Sequence, residues 1–211
     1  MNIVVWADKG GTGKTTVSTN LAAALGVELL DLDPQGDASR WATARGEAAR
    51  VLQAPSAPPL TTKDLCRALG AALEEEGVRV VDCPPGQGDL PLTAVAMADL
   101  LIIPARTGDA KMVALGRSLD VARRVRENRP DLKIGVVLNL ARETGRAKGI
   151  ETALKTQAGV DYLWLGRLSA RVGVEEAYAD GKTLLQAGGA AAHEFRCIWG
   201  AVEAALPSGS Y

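Results

Sequence analysis

Apolar residues fall in short unbroken runs along this chain, at 2–6, 27–32, 78–82, 100–104, 134–138 and 162–165. Runs of that length without polar alternation suit strands that are covered on both faces. Between them lie stretches with helical spacing, near 14–25, 63–76, 109–127, 147–157, 172–179 and 189–206. The alternation predicts an α/β fold, a doubly wound, mostly parallel sheet flanked by helices, with ligands at the carboxyl ends of the strands. Segment 51–62, with three prolines, reads as the one irregular connection, and no internal repeat breaks the rhythm. Residues 1–211 are therefore expected to form one domain, of a size that buries a core without staples.

The first strand run leads into Lys9-Gly10-Gly11-Thr12-Gly13-Lys14-Thr15-Thr16, and a helical stretch follows at once. Glycines in that position let backbone N–H groups turn inward on an anion, and the helix N-terminus behind them adds partial positive charge. Lys14 is placed to reach β/γ-phosphates and the Thr15 hydroxyl to ligand Mg²⁺. The first glycine of the usual G-x-x-x-x-G-K-[ST] pattern is replaced by Asp8, and a second lysine, Lys9, stands just before the glycine pair. A carboxylate at position 8 is placed to pair with Lys9 or to tune its reach.

Two further strand runs end in acids. In an alternating strand Asp31 and Asp33 point to the same side, and Pro34 ends the ladder there. Such carboxylates beside a phosphate loop can hold Mg²⁺ waters and orient an attacking water; a solvated strand-end turn is the plainer alternative. Asp82 closes the next run and fits the second metal-side carboxylate of a P-loop nucleoside triphosphatase, with Pro84-Pro85-Gly86 after it as a stiff, phosphate-sensing segment or a plain turn.

Composition narrows the chemistry. His193 is the only histidine, so a mechanism must run on carboxylates, lysines and metal. Cys66, Cys83 and Cys197 are odd in number and far apart, which predicts reduced thiols in a cytoplasmic protein. No run approaches a membrane span, and no basic leader precedes the first strand. Net charge is −1, yet residues 104–171 alone carry +7, a candidate footprint for a polyanion or an ordinary solvated helix face.

Taken together, the Lys9-to-Thr16 loop, Asp31-Leu32-Asp33-Pro34-Gln35 and Asp82-Cys83-Pro84-Pro85 resemble the ParA/MinD family of deviant Walker A P-loop ATPases. Ala98-Asp99-Leu100 to Pro104, Val137-Leu138-Asn139 and Asp180-Gly181-Lys182 extend the resemblance over most of the chain, and it is most similar to the small ParA-type, ParF-like partition group. The resemblance implies an ATP- and Mg²⁺-binding site in which an ATP-bound homodimer forms. Lys9 then acts across the interface, Lys14 in cis, and Asp33 orients the hydrolytic water. Thr15, Asp31 and Asp82 form the metal shell, and Gly10, Gly11, Thr12, Gly13, Lys14, Thr15 and Thr16 hold the phosphates. Asn139 contacts the adenine, and Arg167 with its neighbours closes over the base. The spacing from Lys9 to Asp33 is short for the family, because the helix after the loop stops at Gly26.

Relatives divide by what the ATP-bound dimer docks on. A ParA-like chain binds DNA non-specifically through basic side chains. Here the candidates are Arg117, Arg123, Arg124 and Arg126, then Arg142, Arg146 and Lys148 (with Lys155 nearby), and Arg171. Arg123, Arg126 and Arg129 recur at helical spacing as a possible stripe. That reading brings a ParB-like centromere-binding partner, nucleoid association and a role in plasmid or chromosome segregation. The alternatives are a MinD-like positioning ATPase acting on another cargo, a metabolic P-loop ATPase or ligase, and a nucleotide-binding module without turnover. Membrane attachment is disfavoured, because the last helix carries Phe195, Ile198, Trp199, Val202 and Leu206 on one side with Arg196 as its lone cation, the pattern of a core helix.

Overall fold

The computed structural model describes residues 1–51, 60–141 and 144–207, so most of the irregular segment and Arg142 lie outside the described residues. Among the described residues seven strands form one all-parallel sheet: β1 (Asn2–Val5), β2 (Glu28–Asp31), β3 (Arg50–Val51), β4 (Arg79–Asp82), β5 (Leu100–Ala105), β6 (Lys133–Ala141) and β7 (Leu163–Ser169). Their order is β3-β2-β4-β1-β5-β6-β7, with β1 at the centre. Six strands match the apolar runs, whereas β3 is a two-residue edge that no run announces. The last strand extends four residues beyond the expected run, and Arg167 falls within it.

Helices cover both faces. On one lie α3 (Thr62–Glu74), α4 (Asp89–Ala96), α5 (Asp109–Asn128) and α6 (Gly145–Gln157), and their Leu69, Val95, Leu115 and Leu154 pack on Val4, Leu30, Val81 and Leu101. On the other lie α1 (Lys14–Leu25), α2 (Asp37–Ala44), α7 (Val172–Ala179), α8 (Leu184–Ala187) and α9 (Gly189–Ala205). There Val17, Leu21, Phe195, Ile198 and Val202 meet Ile3, Val5, Val80 and Ile102. Burial on both faces is why these strands read as unbroken apolar runs. The apolar side of α9 is core, as its pattern predicts.

Three helices escape the periodicity reading. α2 and α8 are too short to establish a period, and α4, Asp-Leu-Pro-Leu-Thr-Ala-Val-Ala, has little polar face to mark one. α1 stops where expected: Gly26 adopts φ +65°, and its N–H donates to the Ala22 carbonyl.

Register fixes the working end. Asp31 lies opposite Asp82, and Asp82 opposite Val5, so two acids share the α1 face at the carboxyl edge. At the opposite edge Arg79 is buried and ties the strands together. Its guanidinium reaches Glu28 (3.2 Å), Asn2 Oδ1 (3.1 Å) and the Glu75 and Glu76 carbonyls.

Candidate nucleotide site

The loop between β1 and α1 is shaped by one close contact. Gly13 adopts φ +84°, and a Cβ there would sit 1.8 Å from Asn139 Nδ2. Asn139, fully buried at the end of β6, donates from that nitrogen to the Thr12 (3.0 Å) and Gly13 (3.2 Å) carbonyls. Its Oδ1 accepts from Leu140 N–H at 2.8 Å. Leu140 itself takes φ +50° at an irregularity in the β6–β7 ladder, a left-handed conformation rare for an L side chain. In this structure Asn139 therefore clamps the loop from beneath, while Leu140 stands at the lip of the cleft.

That cleft, of about 490 Å³, is lined by Gly10, Gly11, Gly13, Lys14, Thr15, Thr16, Asp33 and Pro85, with Leu140, Val174 and Tyr178 around them. Lys14 is buried at the start of α1; burial depresses its ammonium, and the charges of Asp82 and Asp33 oppose that. Thr15 Oγ1 donates to Asp82 Oδ2 at 2.9 Å. Burial pushes the Asp82 carboxyl up to about 7, with the Thr15 and Ser18 hydroxyls and the Lys14 charge acting against the rise and Asp31 adding to it. Asp82 Oδ1 and Thr12 Oγ1 are, among the described residues, the only buried side-chain oxygens without a hydrogen-bond partner. Both belong to this one site. Unpaired buried oxygens are costly, and a cation or a water held by one relieves that cost.

Asp31 and Asp33 part company. β2 ends at Asp31, whose carboxylate accepts from Asp33 N–H (3.1 Å), Ser39 N–H (2.9 Å) and Ser39 Oγ (2.7 Å). It is buried and anchors the first turn of α2, so the expectation that the two acids point to one side of a strand does not hold. Asp33 lies beyond the strand, in a turn closed by Gly36 N–H on its carbonyl, and its Oδ1 accepts from Gln35 N–H at 3.0 Å. It faces the cleft.

Two cations that the sequence reading passed over complete the rim. Lys111 Nζ donates to the Gly10 carbonyl and Arg106 to the Gly11 carbonyl, each at 2.9 Å. Lys9 is exposed beside them. The Lys111 ammonium is depressed by burial and by the neighbouring charges of Lys9, Arg106 and Lys14. The signal was faint: Arg106 follows the end of an apolar strand and Lys111 begins a helix, some hundred residues from the loop they cover.

Asp8 does not pair with Lys9. It accepts from Arg117 Nε (2.7 Å) and Gln87 Nε2 (3.0 Å), while its own N–H donates to Ser118 Oγ at 3.0 Å. Burial alone would raise its carboxyl, but these donors and the Arg117 charge hold it below the usual carboxylate range. Arg167 pairs with Glu151 (3.1 Å) and donates to Ser169 Oγ (2.8 Å), and it is not among the cleft-lining side chains.

The basic segment is extensively paired. Arg123 reaches Asp120 and Asp161, and Arg126 reaches the Asp161 carbonyl. Arg129 turns instead to Asp99, so the three arginines do not form a free stripe. Arg146 pairs with Asp109, Arg171 with Glu194, and Lys155 with Glu151. Arg124 and Lys148 are exposed without a side-chain partner among the described residues. No described helix is long and apolar enough to cross a membrane.

The chain is 33% identical over 141 residues to the Maintenance of carboxysome distribution protein A of Halothiobacillus neapolitanus, a match covering 62% of each protein and so less than two thirds of that relative's length. It is 31% identical over 211 residues to the chromosome-partitioning ATPase Soj of Thermus thermophilus, covering 84% of each. Among solved structures, an ATP complex of a single-residue variant of Cyanothece McdA superposes with a TM-score of 0.77 at 19% identity, over 96% of each chain. A family described as the CobQ/CobB/MinD/ParA nucleotide binding domain matches residues 3–184, and the chain belongs to that family.

Proposed function

We propose that this chain is a Mg²⁺-dependent ATPase that pairs with a second copy of itself when ATP is bound and separates after hydrolysis. The observation that carries this reading is two partnerless buried oxygens, Thr12 Oγ1 in the loop and Asp82 Oδ1 at the end of β4, with Asp82 bonded to Thr15 and the loop rimmed by cations. The loop N–H groups and Lys14 would hold the β/γ-phosphates, and Thr15 with Asp82 would hold Mg²⁺. When bound, Mg²⁺ supplies neutralisation of charge on the phosphate oxygens. Asp33, braced by Gln35 N–H, is the carboxylate free to orient an attacking water. Asp31 acts on the site through its hold on α2 and on the Asp33 N–H. Lys9, exposed at the rim, is the lysine that reaches toward a partner copy.

The ATP-bound pair would dock on DNA without sequence preference. The +7 charge of residues 104–171 and the exposed Arg124 and Lys148 support this, as does the similarity to a chromosome-partitioning ATPase. A ParB-like partner would stimulate turnover and release. A second reading, positioning of a cargo other than DNA, is favoured by the ion pairing of Arg117, Arg123, Arg126, Arg146 and Arg171 and by the similarity to a carboxysome-distribution protein.

The decisive experiment measures ATP turnover, sedimentation and duplex binding with ATP, ADP or no nucleotide across a salt series. Binding that needs ATP and falls steeply with salt supports the DNA reading. Intact turnover without duplex binding moves the assignment to another cargo. Lys14→Ala is expected to lose nucleotide binding by at least about a hundredfold. Asp33→Ala is expected to keep nucleotide and pairing while losing turnover, and normal hydrolysis in that variant would remove Asp33 from its role.

A further inference from the structure

We propose that Asp8 is a positioning residue for Lys9, coupling it through Gln87 to the segment after Asp82 and through Arg117 to α5, so that pairing of two ATP-bound copies depends on this carboxylate. The inference rests on the pairing cycle proposed above.

The residue before Lys9 is fixed at three points from two directions. Its N–H is held by Ser118 Oγ (3.0 Å), and Ser118 is itself buried and donates back into α5 at the Ala114 carbonyl. The carboxylate is held by Arg117 Nε (2.7 Å) on the same helix and by Gln87 Nε2 (3.0 Å) on the loop before α4. That loop is in turn pinned to the first strand segment, because Trp6 Nε1 donates to the Gly86 carbonyl at 2.9 Å, and its Pro85 lines the cleft. A shift of residues 84–88 on nucleotide binding therefore pulls on Asp8, and through one peptide unit on Lys9. Lys9 is exposed, with no protein partner of its own among the described residues to set its direction.

An acid here gives Arg117 a charged acceptor. Asp8 is 13% exposed and Arg117 52% exposed, so the pair is shielded enough to be directional, and removing Arg117 leaves the Asp8 carboxylate with Gln87 as its side-chain donor. A glycine at position 8 would lose the Arg117 bond and leave Lys9 tethered through Ser118 alone, and a glutamine would offer Arg117 a neutral acceptor in place of a charged one. The same contact draws Arg117 away from a nucleic-acid face and into the mechanics of the loop.

The test uses the full chain with Asp8→Ala, Arg117→Lys, Arg117→Met and the double variant Asp8→Ala/Arg117→Met. Sedimentation with a non-hydrolysable ATP analogue and Mg²⁺ reads pairing, titration with fluorescent ADP reads the monomer site, and amine-labelling mass spectrometry reads Lys9 in the nucleotide-free monomer. Asp8→Ala and Arg117→Met are each expected to weaken pairing about tenfold, and the double variant no further. ADP affinity is expected to stay within about twofold and Lys9 labelling to rise in both single variants. Arg117→Lys, which keeps the cation, is expected to recover most of the loss, whereas Arg117→Met, which keeps the apolar stem, is not. Unchanged pairing and labelling in Asp8→Ala overturn the proposal, and so does a collapse of its ADP affinity, which would make Asp8 a folding element of the loop. A wild-type chain that stays monomeric with the analogue refutes the pairing cycle instead. Lys9 labelling then decides the positioning claim on its own.

Discussion

Gly13→Ala tests the clamp beneath the phosphate loop, and its cost can be worked from two separate features. Gly13 holds φ +84°, where an alanine pays a left-handed penalty of about 1–2 kcal/mol. The new Cβ would also meet Asn139 Nδ2 at 1.8 Å, so Asn139 must leave. Its departure breaks the bonds to the Thr12 and Gly13 carbonyls, worth about 1 kcal/mol each. The single variant should then lose about 3–4 kcal/mol. Asn139→Ala removes the obstruction in advance at a cost of about 3 kcal/mol, since Leu140 N–H also loses its acceptor, and in that background Gly13→Ala should cost only the backbone penalty, about 1–2 kcal/mol. Urea unfolding of the four proteins without nucleotide gives the cycle, with a coupling of about 2 kcal/mol expected. If Gly13→Ala costs the same in both backgrounds, Asn139 is not the obstruction and the clamp is not as described.

Further outcomes follow from contacts away from the loop. Arg79→Met at the far edge of the sheet leaves Glu28 and the Asn2 amide without a buried donor, and should lower stability by about 3 kcal/mol with ADP affinity unchanged, read by urea unfolding and ADP titration. Glu194 on α9 accepts from Ser169 N–H (2.8 Å), Ser169 Oγ (2.7 Å) and Arg171 (3.0 Å); burial would raise its carboxyl, but these donors hold it below the ordinary 4.5. A depressed acid stabilises the fold fully above its ordinary value and loses that contribution as pH falls through the folded value. The stability gap between wild type and Glu194→Gln, about 1–2 kcal/mol at neutral pH, should therefore stay level down to the mid-4 range and close below it in a pH series of urea midpoints. Trp6, fully buried with its Nε1 on the Gly86 carbonyl, should report movement of residues 84–88. In a chain with Trp41, Trp164 and Trp199 replaced by phenylalanine, its emission is expected to shift on adding the ATP analogue and to stay fixed on adding AMP.

The sheet was legible because burial on both faces writes itself as unbroken apolar runs, and the loop because glycine, lysine and threonine must stand next to one another to cradle a phosphate. Asp33 and Asp82 were legible for the same reason, as acids at the ends of such runs. What stayed hidden depends on contacts between distant positions. Nothing local to Asp8 says that Arg117 rather than Lys9 will take its carboxylate. The strand pattern could not show that β2 stops at Asp31, whose carboxylate is taken by Ser39 in the first turn of the next helix. Arg106 and Lys111 looked like part of a diffuse basic segment until β5 carried them over the loop, and the arginines of α5 looked like a free stripe until Asp161 and Asp99 came up beside them.

The register that sets Asp31 beside Asp82 and Asp82 beside Val5 also bears on how the chain reaches its native state. A slip of one residue in β4 would turn Asp82 toward the α4 layer and Val81 toward Thr15, so a misregistered sheet would have no nucleotide site at all. Ligand added during refolding would then bind only molecules whose central strands are correctly aligned and draw the population toward them by mass action. The nucleotide would serve the chain first as a proofreader of its own assembly.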